Sequence, residues 1–313
     1  MCIRDRHEAA PSLWARDEEK LNFFAFKQYF SKDSYYFLGQ GINPSLFLGF
    51  DPERKFLNQF FGREESTSPF LNFAKEGSFL GAGKSISRSS SISGALFSGK
   101  HPDLMYFPNH NKTSSGLVVE YQALLNNQEI SFQSGVLSES SAMLGSSFRG
   151  AYGRLDATLT YFSGINSSFV FSNFKLMGSY FHGMSKPKLD QQGMVKDISR
   201  LISSSFNLTL YKTGLLTKAD SFGFSVSQPL KLESGEINFS LPYRRTVKKE
   251  VLFNDFSASM EASGRQVDME FIYSTPIRKG YLRSRIGVSK DQGHISSDKL
   301  QPFFETSWEF VTF

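Results

Sequence analysis

The chain has 313 residues, a formal net charge of +5 and one cysteine, Cys2. One cysteine excludes a disulfide framework and a thiolate metal site, and no apolar run reaches the roughly 18 residues that a membrane-spanning helix needs. If the protein enters a membrane, it therefore does so as a closed β-barrel, the other structure that satisfies its backbone hydrogen bonds in lipid.

The first twenty residues are expected to contribute nothing to the fold. The opening MCIRDR resembles translated adapter sequence found at the ends of open reading frames from assembled environmental DNA. We therefore interpret residues 1–20 as a non-native start followed by a flexible edge. On this interpretation the missing signal peptide carries no information about localisation, and the natural protein extends upstream.

Residues 21–75 are rich in aromatic side chains but lack clean alternation, and we interpret them as a linker. Within them Asp51 suits a helix N-cap, Pro52 the first helical position, and Gly62 the C-terminal stop. Apolar residues at helical spacing lie between these signals. The pattern predicts a short helix, either a surface helix packed on its neighbours or a plug element entering a barrel.

From about Gly77 onward apolar and polar residues alternate, which is the period of a β-strand. Residues 76–313 are therefore predicted to form one β domain. Most of its thirteen candidate strands have about 8–13 residues, near the length of a tilted strand that crosses a bilayer. They centre on residues 78–86, 91–98, 115–124, 128–137, 154–163, 168–182, 200–212, 219–229, 235–242, 250–262, 266–275, 280–290 and 302–313.

The predicted connections alternate between long and short, counted back from Phe313. Long loops at one end and short turns at the other are typical of an outer-membrane barrel. The odd strand number means that one candidate is surplus or that one strand before Gly77 is missed, with residues 69–74 as a place for it. The long connections are 291–301, 183–199, 138–153 and 99–114, and the short ones include 276–279, 164–167 and 125–127.

Charged residues on the polar face form a second pattern. Asp268 and Glu270 share one face of a strand, and Arg283 and Arg285 share a face of the next strand. Opposite charges on neighbouring strands stabilise a sheet by roughly 0.2–1 kcal/mol per pair. We expect a charge ladder inside a barrel, although the solvated face of a soluble sheet would show the same pattern. The ladder is expected to continue through Glu261, Glu305 and Glu309.

Several other motifs lack the context that their chemistry requires. Gly83-Lys84-Ser85 resembles a phosphate loop, but the first glycine of that motif is replaced by Ser78. The five histidines lack metal-ligand spacing, and no GxSxG elbow marks a nucleophile. We therefore expect no catalytic, cofactor-binding or metal-binding residue in this segment.

The basic residues also have a simple interpretation. They are spread over most of the chain without a basic patch that is interleaved with stacking aromatics, so nucleic acid is not expected as a partner. One local cluster stands out, and a solvated turn explains it. Contact with anionic lipid headgroups or with a partner is the alternative for this cluster, which consists of Arg244, Arg245, Lys248 and Lys249.

A family resemblance rests on several short segments in a fixed order. They are GVLSESSAMLGSSFRGAYG (135–153), FKLMGSYFHG (174–183), FGFSVSQPLKLESGEINFSLPYRRT (222–246), SMEASGRQVDMEFIYSTPI (259–277) and DQGH (291–294). Together these segments resemble the C-terminal autotransporter-type region of bacterial subtilisin-like serine peptidases, over roughly residues 70–313. The protease motifs are absent, so the family's catalytic residues map to no position. The resemblance implies an outer-membrane anchor or translocator for an upstream passenger, which the family suggests is a subtilisin-like protease.

The C-terminal segment has the aromatic alternation expected of the last strand of such a barrel. Trp308 and Phe310 lie on the same face, and Phe313 falls out of register unless a bulge shifts it. We interpret Trp308, Phe310 and Phe313 as an assembly signal read by the barrel assembly machinery.

The sequence as a whole predicts an all-β protein, an antiparallel transmembrane-type β-barrel of about 12–14 strands preceded by a linker with a short helix. The expected location is the bacterial outer membrane, and the expected partners are outer-membrane lipid, the assembly machinery and an upstream passenger domain, which the resemblance suggests is a subtilisin-like protease. Two alternatives remain: a porin-like channel with an open lumen, and a soluble β-sandwich binding module with its apolar face between two sheets.

Overall fold

The computed structural model describes residues 24–41, 48, 68–74, 77–100, 113–217, 219–277 and 280–310. Within these residues the chain is all-β, as the sequence predicts, and its strands form two antiparallel sheets. No helix among them is long and apolar enough to cross a membrane. The predicted helix around residues 51–62 lies outside the described residues.

The larger sheet, called the main sheet below, contains thirteen strands that pair in chain order. At two places along the chain, strands of the second sheet come between them. Every pairing is antiparallel, so each strand reverses the direction of the previous one. The strands are β1 (Phe24–Tyr29), β2 (Ser34–Gln40), β3 (Ser78–Ser87), β4 (Ser90–Lys100), β5 (Thr113–Leu125), β6 (Gln128–Ser140), β7 (Gly153–Phe171), β8 (Phe174–Gln192), β10 (Leu201–Thr213), β11 (Ser221–Ser234), β14 (Val267–Ile277), β15 (Gly280–Lys290) and β16 (Gln301–Phe310).

The smaller sheet has three strands in the order β13-β12-β9. β9 (Val195–Ile198) follows β8, whereas β12 (Glu236–Arg245) and β13 (Val251–Ser259) form a hairpin between β11 and β14. Two candidate strands of the sequence, 235–242 and 250–262, therefore exist but belong to this second sheet.

The connections of the main sheet separate by length between its two ends. At the end that we call the turn end, strands join through short connections such as 88–89, 126–127 and 172–173. At the opposite loop end, all connections are longer. This is the alternation that the sequence predicts, and the loop-end connections are 41–77, 101–112, 141–152, 193–200, 235–266 and 291–300.

Four details of the predicted strands are wrong. Most of the predicted connection 183–199 is strand, because β8 continues to Gln192 and β9 follows. Residues 164–167 are no connection but the middle of β7, and the turn lies at 172–173 instead. Residues 69–74 contain no missing strand, because they form a 3₁₀-helix. The sheet also begins earlier than predicted, since β1 and β2 lie in the range that was interpreted as a linker. Four adjacent apolar residues, 35–38, conceal the alternation in β2.

The main sheet is not closed into a barrel within the described residues. β1 and β16 are its two edges. Because thirteen strands alternate in direction, these two edge strands run the same way, from the loop end to the turn end.

The two faces of the main sheet differ sharply in exposure. Along β7 the pattern alternates between buried and exposed residues for most of the strand. We call the buried side the inner face and the exposed side the outer face. A single sheet buries one face over most of its width only if it curls around that face or is covered there.

Candidate functional site

The outer face carries large apolar side chains that remain exposed. On β5, for example, Leu117, Val119 and Tyr121 are each more than 40% exposed. Monomeric soluble proteins rarely expose apolar surface so continuously. Neighbouring strands extend the same surface, through Leu80, Leu96, Phe132, Leu159, Tyr161, Ile165, Phe169, Leu176, Tyr180, Leu208, Met269, Phe271, Ile286 and Phe304.

The inner face buries polar side chains where a soluble sheet would bury apolar ones. Asn166 donates to Ser131 across β6 and β7 at 3.1 Å, and Thr160 and Ser185 share a hydrogen bond of 2.8 Å between β7 and β8. This pairing is expected because a buried polar group is costly unless it is hydrogen-bonded. Other buried polar residues of the inner face are Gln133, Thr158, Asn207, Thr209, Ser225 and Ser227.

A carboxylate also lies within this polar inner face. Glu120 on β5 has no exposed surface and accepts hydrogen bonds from the side-chain amides of Gln122 and Gln133. The sequence analysis missed it, although its position on the polar side of β5 was a usable signal.

The predicted ladder residues do lie on the inner face, and one arginine connects two of the acidic side chains. Arg285 on β15 pairs with Glu270 on β14 at 2.7 Å and with Glu305 on β16 at 3.2 Å. Arg285 and Glu270 are nearly buried, whereas Glu305 is about half exposed. The centre of the ladder is therefore an ion-paired arginine that spans three neighbouring strands.

The remaining residues of the predicted ladder have different positions. Asp268 is buried on the same face of β14 and accepts a hydrogen bond from the side-chain amide of Gln266 at 2.8 Å. Arg283 is partly buried and lies opposite Ser274 in the strand register. Glu261 is exposed in the 235–266 connection and does not extend the ladder, and the side chain of Glu309 lies outside the described residues.

Towards the loop end the inner face becomes apolar, and a chain segment covers it. The 3₁₀-helix Pro69–Ala74, part of the 41–77 connection, buries Phe70, Leu71 and Ala74. The ring of Phe70 stacks on Phe162 of β7 with centroids 5.0 Å apart. We call residues 68–74 the plug segment, because they fill space that the inner face encloses. A plug was predicted for the linker, but at residues around 51–62 rather than here.

Gly183 on β8 provides the space that the plug segment occupies. A Cβ atom at this position would overlap the Cζ atom of Phe70. The ring of Phe70 therefore occupies the space that a side chain at position 183 would fill, and the plug segment packs on the inner face at this place.

A second polar cluster lies at the loop end, where β11 meets the start of β14. Lys231 and Arg265 both pair with Glu233, at 2.9 and 2.7 Å, and Ser204 donates to the same carboxylate at 2.6 Å. Arg265 also donates to the side chain of Gln228. We call this group, together with His294, the junction cluster.

The 291–300 connection is fastened to this cluster by backbone hydrogen bonds. Asp291 accepts from the backbone N–H groups of Arg265 and Ser297 at 3.2 and 2.9 Å. The Nδ1 atom of His294 accepts from the backbone N–H of Gln266 at 3.0 Å, and Gly293 donates back to the side chain of Gln266 at 2.7 Å. The hydrogen bonds of Asp291 with Arg265, and those of His294 and Gly293 with Gln266, therefore hold this loop in place.

These contacts shift the acidity of the two groups. Hydrogen bonds from the backbone N–H groups of Ser297 and Arg265 hold the pKa of Asp291 below its ordinary value. Burial, reinforced by the positive charges of Lys231 and Arg265, lowers the pKa of the His294 imidazole. Both shifts favour the charge states present at neutral pH.

Three of the segments that carry the family resemblance meet in the junction cluster. Residues 227–235, 263–268 and 291–294 are far apart in sequence, yet their side chains and backbone groups bond to one another. The sequence analysis singled out each segment but did not predict that they touch. No protein-family model matches the chain, and no curated protein or solved structure matches it either.

The charged groups at these sites pair with one another. The charges of the junction cluster and of Arg285 face partners of opposite charge, an arrangement that fixes strands and loops relative to one another. Among the described residues no group of histidine, cysteine and acidic side chains could hold a metal ion.

A carboxylate also organises the turn end. Asp220 accepts hydrogen bonds from the backbone N–H groups of Leu215, Leu216 and Thr217 at 2.7–2.9 Å and from Tyr273 at 3.0 Å. Burial alone would raise the pKa of Asp220, but these hydrogen bonds outweigh it and the pKa is lowered. The 214–220 turn is thus fastened to β14.

The residues of the predicted assembly signal lie at the end of the edge strand β16. Trp308 is exposed on the outer face, and Phe310 is the last residue of the strand, opposite Gly280 in the register. Phe313 lies outside the described residues.

Proposed function

We propose that this chain is a bacterial outer-membrane β-barrel that anchors an upstream passenger domain and assists its export. The observation that carries the proposal is the exposed apolar outer face of the main sheet, combined with an inner face that buries many polar side chains beside the apolar cluster around the plug segment. Contact with lipid tails stabilises the exposed apolar face, and an enclosed, partly hydrated interior accommodates the polar side chains of the inner face.

The height of the apolar surface supports a membrane location. On β7 the outward apolar side chains extend from Leu159 to Phe169. At about 3.3 Å per residue and a tilt of about 40°, this stretch covers about 25 Å along a membrane normal. Outer-membrane barrels carry an apolar band of that height. Beyond it, Arg154 pairs with Asp190 towards the loop end, where headgroups or water would begin.

The two ends suggest an orientation. Outer-membrane barrels have short turns on the periplasmic side and longer loops outside. By this criterion the turn end faces the periplasm, and the loop end, with the three-stranded sheet, faces the exterior. The assembly signal at the end of β16 then lies on the periplasmic side.

Closure of the sheet requires one further element. β1 and β16 run in the same direction, so antiparallel pairing at both edges needs one more strand between them. That strand would give an even total of fourteen, as bacterial barrels have and within the predicted range. Closure would also remove two edges that otherwise invite aggregation.

The family resemblance supports the role of anchor and the kind of passenger, a subtilisin-like protease. The described contacts add a physical reason to prefer an anchor to an open pore, since the plug segment packs against the inner face at Phe162 and Gly183. The β-sandwich alternative would require a second sheet over the apolar outer face, which the described residues do not provide.

The decisive experiment is fractionation combined with heat modifiability. The full chain is expressed behind a signal peptide, the envelope is fractionated, and gel migration is compared with and without boiling. We expect a detergent-dependent outer-membrane species whose mobility shifts on boiling. A soluble periplasmic product without a shift would contradict the barrel and leave the binding module.

A porin-like channel is a second candidate, favoured by the polar turn-end half of the inner face. Conductance in planar bilayers separates it from an anchor. The anchor predicts a closed wild type and current only after Phe70→Ala opens the plug segment. Leu216→Ala, which shortens an exposed side chain in the 214–220 turn, is the matched control. Steady current through the wild type would favour the channel.

A further inference from the structure

The β12–β13 hairpin carries a dense cluster of exposed cations at its tip. Its tip, residues 243–253, contains Arg244, Arg245, Lys248 and Lys249 within six positions, all of them exposed. One acidic residue, Glu250, lies among them. The outermost strand, β13, pairs only with β12 in the described part of the chain, so the hairpin stands at the edge of its sheet.

The tip is built as a defined turn that presents these cations. The backbone N–H of Thr246 donates to the carbonyl of Glu250 at 2.8 Å, and that of Lys249 donates to the carbonyl of Thr246 at 2.9 Å. The Thr246 hydroxyl accepts from the backbone N–H of Glu250 at 3.1 Å. The cations thus project from a closed turn, which reduces the ordering that binding would require.

Exposed apolar side chains alternate with the cations. Tyr243 and Phe253 are more than half exposed, and Val247 is fully exposed at the apex. Val251 and Leu252 continue this surface at the start of β13. A cluster of cations alone would suit water, but this mixture suits a medium with anionic groups next to apolar ones.

We infer that the β12–β13 hairpin tip docks on a lipid surface with phosphate-bearing headgroups. Four cations match the negative charge of the headgroups, and the apolar side chains between them match the boundary between headgroups and acyl chains. If the ligand were inorganic phosphate or a nucleic acid, the exposed apolar side chains of Val247 and Val251 would have no function in binding. The inference goes beyond the anchor function, although the loop-end position of the hairpin places it beside a membrane surface if the barrel is correct.

The test uses the full chain with an environment-sensitive fluorophore at the hairpin apex. Cys2 is the only cysteine, so Cys2→Ser with Val247→Cys gives a single labelling site. The chain, held in phosphatidylcholine nanodiscs, is titrated with vesicles of phosphatidylcholine alone or mixed with phosphatidylglycerol. We expect binding and a blue shift only with phosphatidylglycerol, and release at high salt, where screening is strong.

Charge reversal supplies the matched comparison. Reversing all four tip cations to glutamate should weaken vesicle binding about a hundredfold or more, because each cation near an anionic surface contributes about fivefold. The control reverses four exposed cations elsewhere at the loop end, with the same change in net charge, and should bind like the parent. Its substitutions are Lys196→Glu, Arg200→Glu, Lys290→Glu and Lys299→Glu.

Three outcomes would overturn the inference. They are equal binding of the two charge-reversed variants, equal binding to the two kinds of vesicle, and an equal spectral shift with inorganic phosphate or a single-stranded oligonucleotide. Failure of the anchor function is distinguishable, because it would appear in the fractionation experiment. A chain that proves soluble is titrated without nanodiscs, and hairpin-dependent vesicle binding would then support the inference without the barrel.

Discussion

The two sheets of this protein are both antiparallel, yet the main sheet separates a buried face from an exposed one far more completely. On β5 of the main sheet Glu120 is buried while its neighbours Val119 and Tyr121 are exposed. In the three-stranded sheet β13 is exposed along nearly its whole length, and the adjacent residues Leu252 and Phe253, which point to opposite faces, are both exposed. Pairing into an antiparallel sheet therefore does not by itself bury a face. A face is buried only where the sheet curls around it or another part of the chain covers it.

On our proposal the main sheet is surrounded by lipid, whereas the three-stranded sheet lies outside the bilayer and meets only its surface, at the hairpin tip. Four predictions test these surroundings and the contacts within the main sheet, in order of decreasing expected effect.

Removing residues 310–313 should abolish membrane insertion of the whole chain. The deletion takes away the end of β16 and the predicted assembly signal, and without assembly the apolar outer face cannot reach lipid. Envelope fractionation measures the effect, and deletion of residues 1–6 is the control that should insert normally. Normal insertion of the C-terminal truncation would show that the last four residues are no assembly signal.

Reversing the two ladder arginines, Arg283→Glu with Arg285→Glu, should lower the free energy of unfolding by about 3–5 kcal/mol, because it leaves Glu270 buried without its partner. The boiling temperature needed for the gel shift measures the loss. The matched control is Arg154→Glu with Lys188→Glu, which removes two exposed ion pairs and should cost about 1 kcal/mol or less per pair. Equal effects of the two double variants would remove any special role for the ladder.

A charge on the outer face tests the surroundings of the main sheet directly. Ile165 lies near the middle of the apolar band on β7. Ile165→Arg should lower the free energy of unfolding by about 2–4 kcal/mol in a lipid bilayer, whereas Leu216→Arg in the exposed 214–220 turn should have almost no effect. Urea unfolding in bilayers measures both. A change within about 0.5 kcal/mol for Ile165→Arg is the result expected of a water-facing surface and would place the sheet outside lipid.

Acid should weaken the hydrogen bonds that hold the connections between strands, and this is the smallest of the four expected effects. The pKa of His294 is lowered in the folded protein, so the unfolded chain takes up a proton first and stability falls as pH drops below about 6.5. The loss is about 1.4 kcal/mol for each unit of the pKa shift. Asp220 and Asp291 also have lowered pKa values, so their contribution is present above about pH 3.9 and is lost as pH falls through their folded pKa.

Chemical denaturation between pH 8 and about pH 2 would resolve these two steps. His294→Gln keeps a hydrogen-bond acceptor but cannot take up the proton, so it should remove the upper step alone. Asp291→Asn should reduce the lower step and leave the upper one in place. A pH profile that neither substitution changes would mean that other groups carry the acid sensitivity.

Much of the main sheet could be predicted from local patterns. The alternation of apolar and polar residues placed most strands from β3 onward, and the ladder residues Asp268, Glu270 and Arg285 do lie on one face. β7 and β8 are less well predicted because Gly164 and the surrounding small residues resemble a turn. β2 was not predicted because its residues 35–38 are apolar on both sides of the strand.

The sequence by itself determined the strand chemistry, the alternation of long and short connections and the polarity of each face, since these depend on neighbours within a few positions. Tertiary structure alone decided which distant segments meet. Glu233 with Arg265, Asp291 with Arg265, and Phe70 with Phe162 come together through the pairing of the strands and the path of long connections. The periodicity within one strand contains no information about these contacts, because they form between segments that lie tens of residues apart in the chain.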